Sequence, residues 1–471
     1  MASMMMMPMA CDKALDINVN PLTASVANPN AVLPFVLVQF DNRNTTELGT
    51  RSCDVYQHTA ATFNSPRRGN TSTTQTGNTW NMLYTQVLSN LDLMEKDARL
   101  AGETSNNIVA VALTMKAIAF FEATTIWDKI PFTQALNAKD FPFPEFDTQE
   151  VVLKGTVAML EEAVAAIDAM PATGNFDLSP GDLIYEGDMS LWRKFANSVK
   201  LRILMIIRNK DAAYADPKIA TLLSTAGSLI ETNDEAALFR YPGTVGNQNA
   251  WKQIVTAFGT GSNESTNYFG PSPVIRGLLT GDPRLALWCV DGTNGNFEAR
   301  PIGQFPGFAH ARYSDNVIRG DLPSIWYLPA EVSFYRAELI VKGVISGDAN
   351  SFYRQGVTEV LEFWGQDIPG AQKTLSNTEI STFVSGLADI NGMTTTNALT
   401  AIGNQQYLET FWRPMEGWNH VRRTKVPNIG AAPGATISTM LKRFNYPPDE
   451  SGSNPNTPPN LLTDVPQWFE N

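Results

Sequence analysis

The longest apolar run of the chain, residues 108–127, constrains the fold more than any other feature. It is long enough to cross a membrane, but Thr114, Lys116 and Glu122 interrupt it with groups that a bilayer core does not solvate. A helix that is otherwise apolar on nearly every side belongs in the interior of a large domain. The sequence therefore predicts a buried central helix over 105–127.

Three further stretches repeat apolar residues every three or four positions, which is the spacing of one face of a helix. The first is 79–94 and the third is 189–209. The second begins with Asp147 and Glu150 in capping-box spacing and stops at Pro171. Together with the central helix they form two helical hairpins.

A third hairpin follows much later in the chain, from helices over 329–342 and 349–364. The stretches 240–328 and much of 365–471 lose helical periodicity and are rich in Gly, Pro, Asn and aromatic residues. Hairpins in series favour a TPR-like array, although their spacing is too uneven for a regular repeat. We therefore predict a mainly α fold with an irregular, loop-rich subdomain packed on the helical array. Loops of this kind usually carry binding chemistry.

The charge balance excludes a nucleic-acid partner. The chain has 35 Lys and Arg against 47 Asp and Glu, a formal net charge of −12. Binding to a phosphate backbone needs a concentrated basic surface. The densest basic clusters of this sequence are only the pairs Arg67-Arg68 and Arg422-Arg423.

Motifs for catalysis and metal binding give no lead. The three histidines, His58, His310 and His420, lie far apart, and the sequence has no HExxH, phosphate-binding loop or GxSxG pattern. Residues 291–296 carry oxygen ligands at short spacing, which is more typical of a plain turn. We therefore predict no metal, no cofactor and structural or surface roles for the histidines. A glycoside hydrolase stays an alternative, because two carboxylates across a cleft cannot be found from sequence spacing.

The three cysteines differ in their surroundings. Cys53 and Cys289 are predicted to be buried thiols, and a bridge between them stays open. Cys11 ends the stretch MASMMMMPMAC, which resembles the end of a bacterial lipoprotein signal, although the basic region is missing and Pro8 stands where Leu is preferred. We predict a truncated signal with lipidation at Cys11, which would hold the protein at a membrane surface. An incidental cysteine in an unstructured terminus is the alternative.

Aromatic residues concentrate in the irregular stretch 240–328. They are Tyr268, Phe269, Trp288, Phe305, Phe308, Tyr313, Trp326 and Tyr327. Sugar rings present apolar faces flanked by hydroxyls, so exposed aromatic rings beside Asn, Asp and Arg suit a glycan. The predicted site has four stacking rings and two hydrogen-bond donors: Trp288, Tyr313, Trp326, Tyr327, Arg312 and Asn316. The alternative is that these rings are core and anchor the loops to the helical frame.

Seven short segments resemble, in the same order, the SusD/RagB family of nutrient-binding outer-membrane lipoproteins of Bacteroidetes. They are residues 11–21, 126–131, 192–202, 281–285, 331–338, 418–424 and 443–447. Three of these segments have the sequences IWDKIP, GDPRL and WNHVRRT. Each segment is weak alone, but together they run along nearly the whole chain.

The resemblance implies a SusD-like helical frame that sits as a lid on a SusC-like TonB-dependent transporter. Such proteins capture oligosaccharides, or in some branches peptides, at the cell surface, and they are not enzymes. The resemblance also implies that Trp192, Phe195 and Arg202 pack and pair within a helix hairpin. Arg422 and Arg423 would neutralise buried carboxylates.

From the resemblance we expect a lipid-anchored, surface-exposed outer-membrane protein that binds oligosaccharides and passes them to the transporter. A RagB-type peptide binder is the alternative. The expected organisation is a tether over 1–20 and one SusD-like domain over 21–471, with its helical frame at about 79–210 and 329–364 and its irregular ligand-binding subdomain at about 240–328 and 365–471.

Overall fold

A computed structural model describes residues 28–60, 69, 71–258, 269–301, 309–432 and 434–470. Some of the sequence predictions fall outside this range. They are the lipidation of Cys11, the tether over 1–20, and the loop aromatics Tyr268, Phe305 and Phe308.

Helices make up 56% of the chain and strands 4%, so the predicted mainly α class is confirmed. The α-helices are α1 (Pro29–Arg43), α2 (Thr50–Val55), α3 (Thr73–Asn81), α4 (Ser89–Ala101), α5 (Asn106–Trp127), α6 (Gln149–Asp168), α7 (Met189–Ile207), α8 (Ala212–Ser224), α9 (Ala250–Phe258), α10 (Pro273–Leu278), α11 (Arg284–Trp288), α12 (Pro329–Val341), α13 (Ala349–Glu362), α14 (Asn377–Ser385), α15 (Thr395–Glu409), α16 (Pro414–Thr424) and α17 (Pro448–Ser453). The π-helical segments are Asn44–Gly49, Met82–Leu88 and Phe363–Asp367. The short strands are β1 (Ala237–Phe239), β2 (Cys289–Val290), β3 (Arg312–Tyr313) and β4 (Ser324–Tyr327).

The central helix α5 is buried as predicted, with every residue from 107 to 127 in the interior. The helical stretch Glu103–Trp127 has the length and hydropathy of a membrane span, and its most apolar 18-residue window is fully buried in the protein. The charge of Lys116 in this apolar run is paired, because its Nζ lies 2.9 Å from Asp92 and 2.8 Å from Glu95, both on α4. Pairing offsets the cost of burying the charge. The run therefore forms the core of the helical frame.

The first predicted helix is longer in the structure than its apolar repeat indicates. Ser72 caps the start of α3, and the helical path continues through Met82–Leu88 into α4. The capping box predicted for α6 at Asp147 and Glu150 is wrong. The N-cap is the next residue, Thr148, whose side chain accepts from the Val151 N–H. Asp147 instead accepts from the backbone N–H groups of Phe132 and Thr133. It thereby fixes the loop before α6.

The predicted third hairpin is confirmed as α12 and α13, which pack against each other. Gly343 takes a φ of +71° just after α12, in the left-handed region that glycine enters without strain. The expectation that 365–471 is largely irregular is wrong for α14, α15 and α16. α15 packs on α12 and α16 packs on α2, so both helices extend the frame.

The strands pair antiparallel, β1 with β4 and β2 with β3. In the second pair Cys289 lies opposite Tyr313 and Val290 opposite Arg312. Cys53 and Cys289 are both buried free thiols, as the sequence favoured, and the bridge between them is not formed. Burial raises the pKa of each thiol to about 12.

Buried ion pairs tie the frame to the later helices. Arg202 on α7 donates two hydrogen bonds to Glu331 on α12, and Arg413 approaches the same carboxylate. The two guanidinium groups hold the pKa of Glu331 down to about 2 although its burial acts in the opposite direction. The predicted burial of Trp192, Phe195 and Arg202 is confirmed. The predicted pairing within one hairpin is wrong for Arg202, because its carboxylate partner Glu331 lies on α12.

The two arginines of the WNHVRRT segment behave differently. Arg423 pairs with Glu338 at 2.7 Å, as predicted. For Arg422 the prediction is wrong, because its guanidinium donates to the backbone oxygens of Thr125 and Lys442, each at 2.6 Å. Arg422 thus satisfies backbone oxygens at the end of α5 and in the 442 loop, and it does not neutralise a carboxylate.

Candidate functional site

Trp288 and Tyr313 lie inside the protein, where they cannot stack on a ligand. The Trp288 ring stacks on Phe411 with centroids 4.1 Å apart, and the Tyr313 ring meets Trp412 edge-on at 5.0 Å. The Tyr313 hydroxyl donates to the backbone oxygen of His58. These rings join the loop-rich subdomain to the segment between α15 and α16.

Trp326 and Tyr327 are also enclosed. The Trp326 indole N–H donates to Asp41 at 2.8 Å, and the side chain is 8% exposed. The Tyr327 ring lies 4.6 Å from the guanidinium of Arg202 and has no exposed surface. The prediction of four exposed stacking rings is therefore wrong. The four rings are core residues that anchor the loops to the helical frame, which was the alternative.

The two predicted hydrogen-bond donors separate in the structure. Asn316 is buried and acts as a loop clamp, donating to the Lys373 backbone oxygen and accepting from the Gln372 and Lys373 N–H groups. Arg312 is half-exposed on β3, where its Nη1 donates to the Asp291 backbone oxygen at 3.2 Å. Arg312 is thus the predicted candidate that reaches the surface.

Polar side chains gather around Arg312, and we name Asp291, Asn294, Glu298, His310 and Arg312 the β2–β3 surface. The Asn294 amide donates to Glu298 at 2.5 Å, and the His310 Nε2 lies 3.9 Å from the same carboxylate. Asn294 and Glu298 are exposed. Together the five side chains offer guanidinium, amide, imidazole and carboxylate groups, which can hydrogen-bond hydroxyls or peptide groups.

The turn within the β2–β3 surface is held in one strained conformation. The Asp291 carboxylate accepts from the N–H groups of Gly292 and Phe297, each at 2.8 Å. Asn296 and Phe297 have φ values of +59° and +48°, and Arg276 donates to both of their backbone oxygens. The predicted plain turn is confirmed, and such fixed positive-φ residues are frequent at ligand-binding loops.

Among the residues that the structure describes, two open clefts have the volume of small-ligand sites, which is about 300–1,000 Å³. The first, of about 440 Å³, lies between the 281–283 turn and α14, and we name it the Phe383 cleft. The second, of about 520 Å³, lies beside α13, and we name it the acidic cleft. The enclosed cavity around Arg202 holds only about 40 Å³, too little for a sugar unit.

The acidic cleft is lined only by polar side chains. They are Glu231, Thr232, Asn233, Asp234, Gln355, Thr358, Glu359, Glu362, Gln366 and Asp367. Burial raises the pKa of Glu359 to about 7, and it also raises the pKa values of Glu362 and Asp367. None of the described residues that line this cleft is aromatic, so they provide no stacking surface for a sugar ring.

Exposed phenylalanines lie elsewhere, on the loop between α5 and α6, and the sequence analysis missed them. Phe141 is 39% exposed and Phe143 is 55% exposed. The Asn456 amide donates to the Phe143 backbone oxygen and the Asn454 amide to that of Pro144, so the loop is fixed from behind. The FPFP pattern was the available signal, because prolines disfavour helix and central strand and so indicate a loop, where side chains are often exposed.

The histidines give no catalytic base in the interior. Burial lowers the pKa values of His58 and His420 to about 3, so both rings are neutral and serve as core hydrogen-bonding groups, as predicted. Among the described residues, no group of three or more His, Cys, Asp or Glu is placed to hold a metal ion.

Comparisons with known proteins point to one family. Residues 21–447 match the SusD-like family model, which is described as starch-binding and associating with the outer membrane. No curated protein matches the sequence significantly. Among solved structures, a chitin-binding protein superposes with a TM-score of 0.75 at 21% identity, covering 91% of this chain and 94% of that one.

Two further solved structures have the same fold. A SusD-like protein from Bacteroidetes AC2a has a TM-score of 0.77 at 19% identity, covering 90% of this chain and 95% of its own. A SusD homolog from Bacteroides uniformis ATCC 8492 has a TM-score of 0.76 at 21% identity, covering 94% and 98%. At these identities the structural likeness shows the fold, and the family match rests on the sequence.

Proposed function

The chain belongs to the SusD-like family of starch-binding proteins that associate with the outer membrane, and on that premise we propose that it captures oligosaccharides at the cell surface and delivers them to a SusC-like TonB-dependent transporter. The observation that carries this proposal is the family match over 21–447. One of the structural relatives is a chitin-binding protein, which supports a saccharide ligand. Lipidation of Cys11 would place the protein on the membrane beside its transporter.

We place the ligand on the β2–β3 surface of the loop-rich subdomain. Its turn is fixed before any ligand arrives, so little conformational entropy is lost on binding. Arg312 would donate charge-assisted hydrogen bonds to sugar hydroxyls, and Asn294 and Glu298 would supply an amide and an acceptor. The buried Trp288 and Tyr313 would support this surface from below and would not touch the sugar.

The mechanism of such a carrier is capture and release without a bond being broken. A few hydrogen bonds and apolar contacts give binding in the micromolar to millimolar range. Weak binding allows the oligosaccharide to leave for the transporter. We therefore expect the ligand to be recovered unchanged.

The test is isothermal titration of the full chain with maltoheptaose, chitohexaose and a tryptic peptide mixture, with mass spectrometry of the sugar afterwards. We expect saturable heat with a saccharide and no new products. Saturable heat with peptides alone would replace the proposal by a peptide-binding one, and shortened saccharides would identify a hydrolase.

A pair of arginine variants tests the location. Arg312→Ala removes one charge-assisted contact, which is worth about 1.5 kcal/mol or roughly tenfold in Kd. Arg99→Ala on α4 is the control, because Arg99 is also partly exposed and pairs with acids on the helical frame. Equal affinities of the two variants would place the ligand elsewhere.

A further inference from the structure

The Phe383 cleft combines the features of a sugar subsite in one concave place. It opens between the turn Gly281–Pro283 and one side of α14. Its lining residues are Gly281, Asp282, Pro283, Thr378, Glu379, Thr382 and Phe383. Its volume of about 440 Å³ lies within the range of small-ligand sites.

The lining of the cleft combines apolar and polar side chains. The half-buried Phe383 ring and Pro283 form an apolar surface of the kind on which the C–H face of a sugar packs. Thr378 and Thr382 are exposed and bring hydroxyl groups. Gly281 has a φ of +74°, which favours glycine, and no other atom lies within 4 Å of the position a Cβ would take, so a ligand can approach the backbone closely.

The two carboxylates of the cleft are oriented by their neighbours. Both Asp282 oxygens accept from the Arg284 guanidinium, so this acid is neutralised in place. The Glu379 Oε2 accepts from the Ser376 N–H and hydroxyl in a capping box, which fixes its carboxylate at the start of α14. The cleft therefore presents a ring, hydroxyls and one positioned carboxylate acceptor, that of Glu379.

The cleft is close in the chain to the β2–β3 surface. Only α11 (Arg284–Trp288) separates Pro283 from the first residue of β2. Those five helical residues span about 7.5 Å at a rise of 1.5 Å each, and the three steps from Trp288 to Asp291, the first residue of the β2–β3 surface, add at most about 11 Å. One oligosaccharide of several units is long enough to reach from one place to the other.

We infer that the Phe383 cleft is a second subsite for the same oligosaccharide, so that this protein selects longer chains over shorter ones. The inference rests on the proposed function. A short sugar would occupy the β2–β3 surface alone, and a longer one would add contacts in the cleft. The affinity of the wild-type chain would then rise with ligand length.

The experiment is isothermal titration with a maltooligosaccharide series from maltose to maltoheptaose, and with the matching chitooligosaccharides. The full chain is compared with Phe383→Leu, which keeps the buried apolar contacts and removes the flat ring, and with Thr382→Val, which removes one hydroxyl. Phe143→Leu is the matched control, because it changes an exposed phenylalanine far from the cleft in the chain, on the loop between α5 and α6. Melting temperatures confirm that each variant is folded.

The wild type and the control should bind the longest members about fivefold more tightly than the cleft variants do, while all four chains should bind the shortest members equally. A length dependence that is unchanged in both cleft variants would overturn the subsite and leave the proposed function standing. A failure of every saccharide to bind any of the chains would overturn the proposed function itself, and the subsite with it.

Discussion

Glu359 on α13 should make the protein more stable in mild acid than at neutral pH. Its side chain is 8% exposed, and it accepts hydrogen bonds from Gln355 and Ser333, each at 2.8 Å. The neighbouring Glu362 adds negative charge, and Arg336 opposes it only weakly. Burial raises the pKa of Glu359 from 4.5 to about 7. The folded protein therefore holds this proton where the unfolded chain has released it.

The sign of the pH effect follows from proton counting. Between about pH 4.5 and 7 the folded state binds more protons at Glu359 than the unfolded state, so stability falls as pH rises through this window. The shift corresponds to about 3 kcal/mol. Glu359→Gln removes the ionisable group and keeps the side-chain shape. The variant should match the wild type near pH 4.5 and exceed its free energy of unfolding by up to about 3 kcal/mol at pH 8.

Urea denaturation at pH 5, 6, 7 and 8 measures this difference directly. Glu103→Gln is the control, because Glu103 is exposed at the end of the loop before α5. Its stability should follow the wild type at every pH. A difference between Glu359→Gln and the wild type that stays constant from pH 5 to 8 would refute the assignment of a buried, protonated Glu359.

Three further predictions concern the core. Glu331→Ala leaves the guanidinium groups around it without their shared acid and should cost about 3–5 kcal/mol in urea denaturation; a loss below about 1 kcal/mol would show that these ion pairs contribute little. Trp326→Ala should cost about 3–5 kcal/mol through the cavity it leaves and through the loss of its bond to Asp41. Its saccharide affinity should be unchanged, whereas weaker binding at an unchanged melting temperature would return Trp326 to the ligand site. Cys53 and Cys289 should resist alkylation by iodoacetamide in the native protein and react on unfolding; rapid native labelling at either cysteine would contradict their burial.

The helical frame could be predicted where the apolar repeat is strong. The central helix α5 and the hairpin of α12 and α13 lie where the sequence placed them. α15 was missed because its sequence, TTNALTAIGNQQYLE, mixes small and amide residues among few apolar ones. Its buried face includes Gly403 and Gln406, which pack by tertiary contact rather than by hydrophobicity. Local patterning carries no signal for such a helix.

The candidate site was predicted less well, for a physical reason. The local sequence around a loop tryptophan does not reveal whether its ring packs in the core or lies on the surface. Trp288 and Tyr313 turn inward because the short β2–β3 pair packs against Phe411 and Trp412, which lie about 100 residues later in the chain. Arg312 faces outward because its neighbour in the strand faces inward, and alternation along a strand sends successive side chains to opposite faces.

An oligosaccharide that binds the loop-rich subdomain at the β2–β3 surface should slow backbone hydrogen exchange there. The measurement is hydrogen exchange of the full chain by mass spectrometry, with and without saturating maltoheptaose or chitohexaose. We expect slower exchange in peptides that cover 289–298 and 309–313, with the helices of the frame unchanged. Protection confined to the frame at 79–210, or to the Phe141–Phe143 loop, would contradict it.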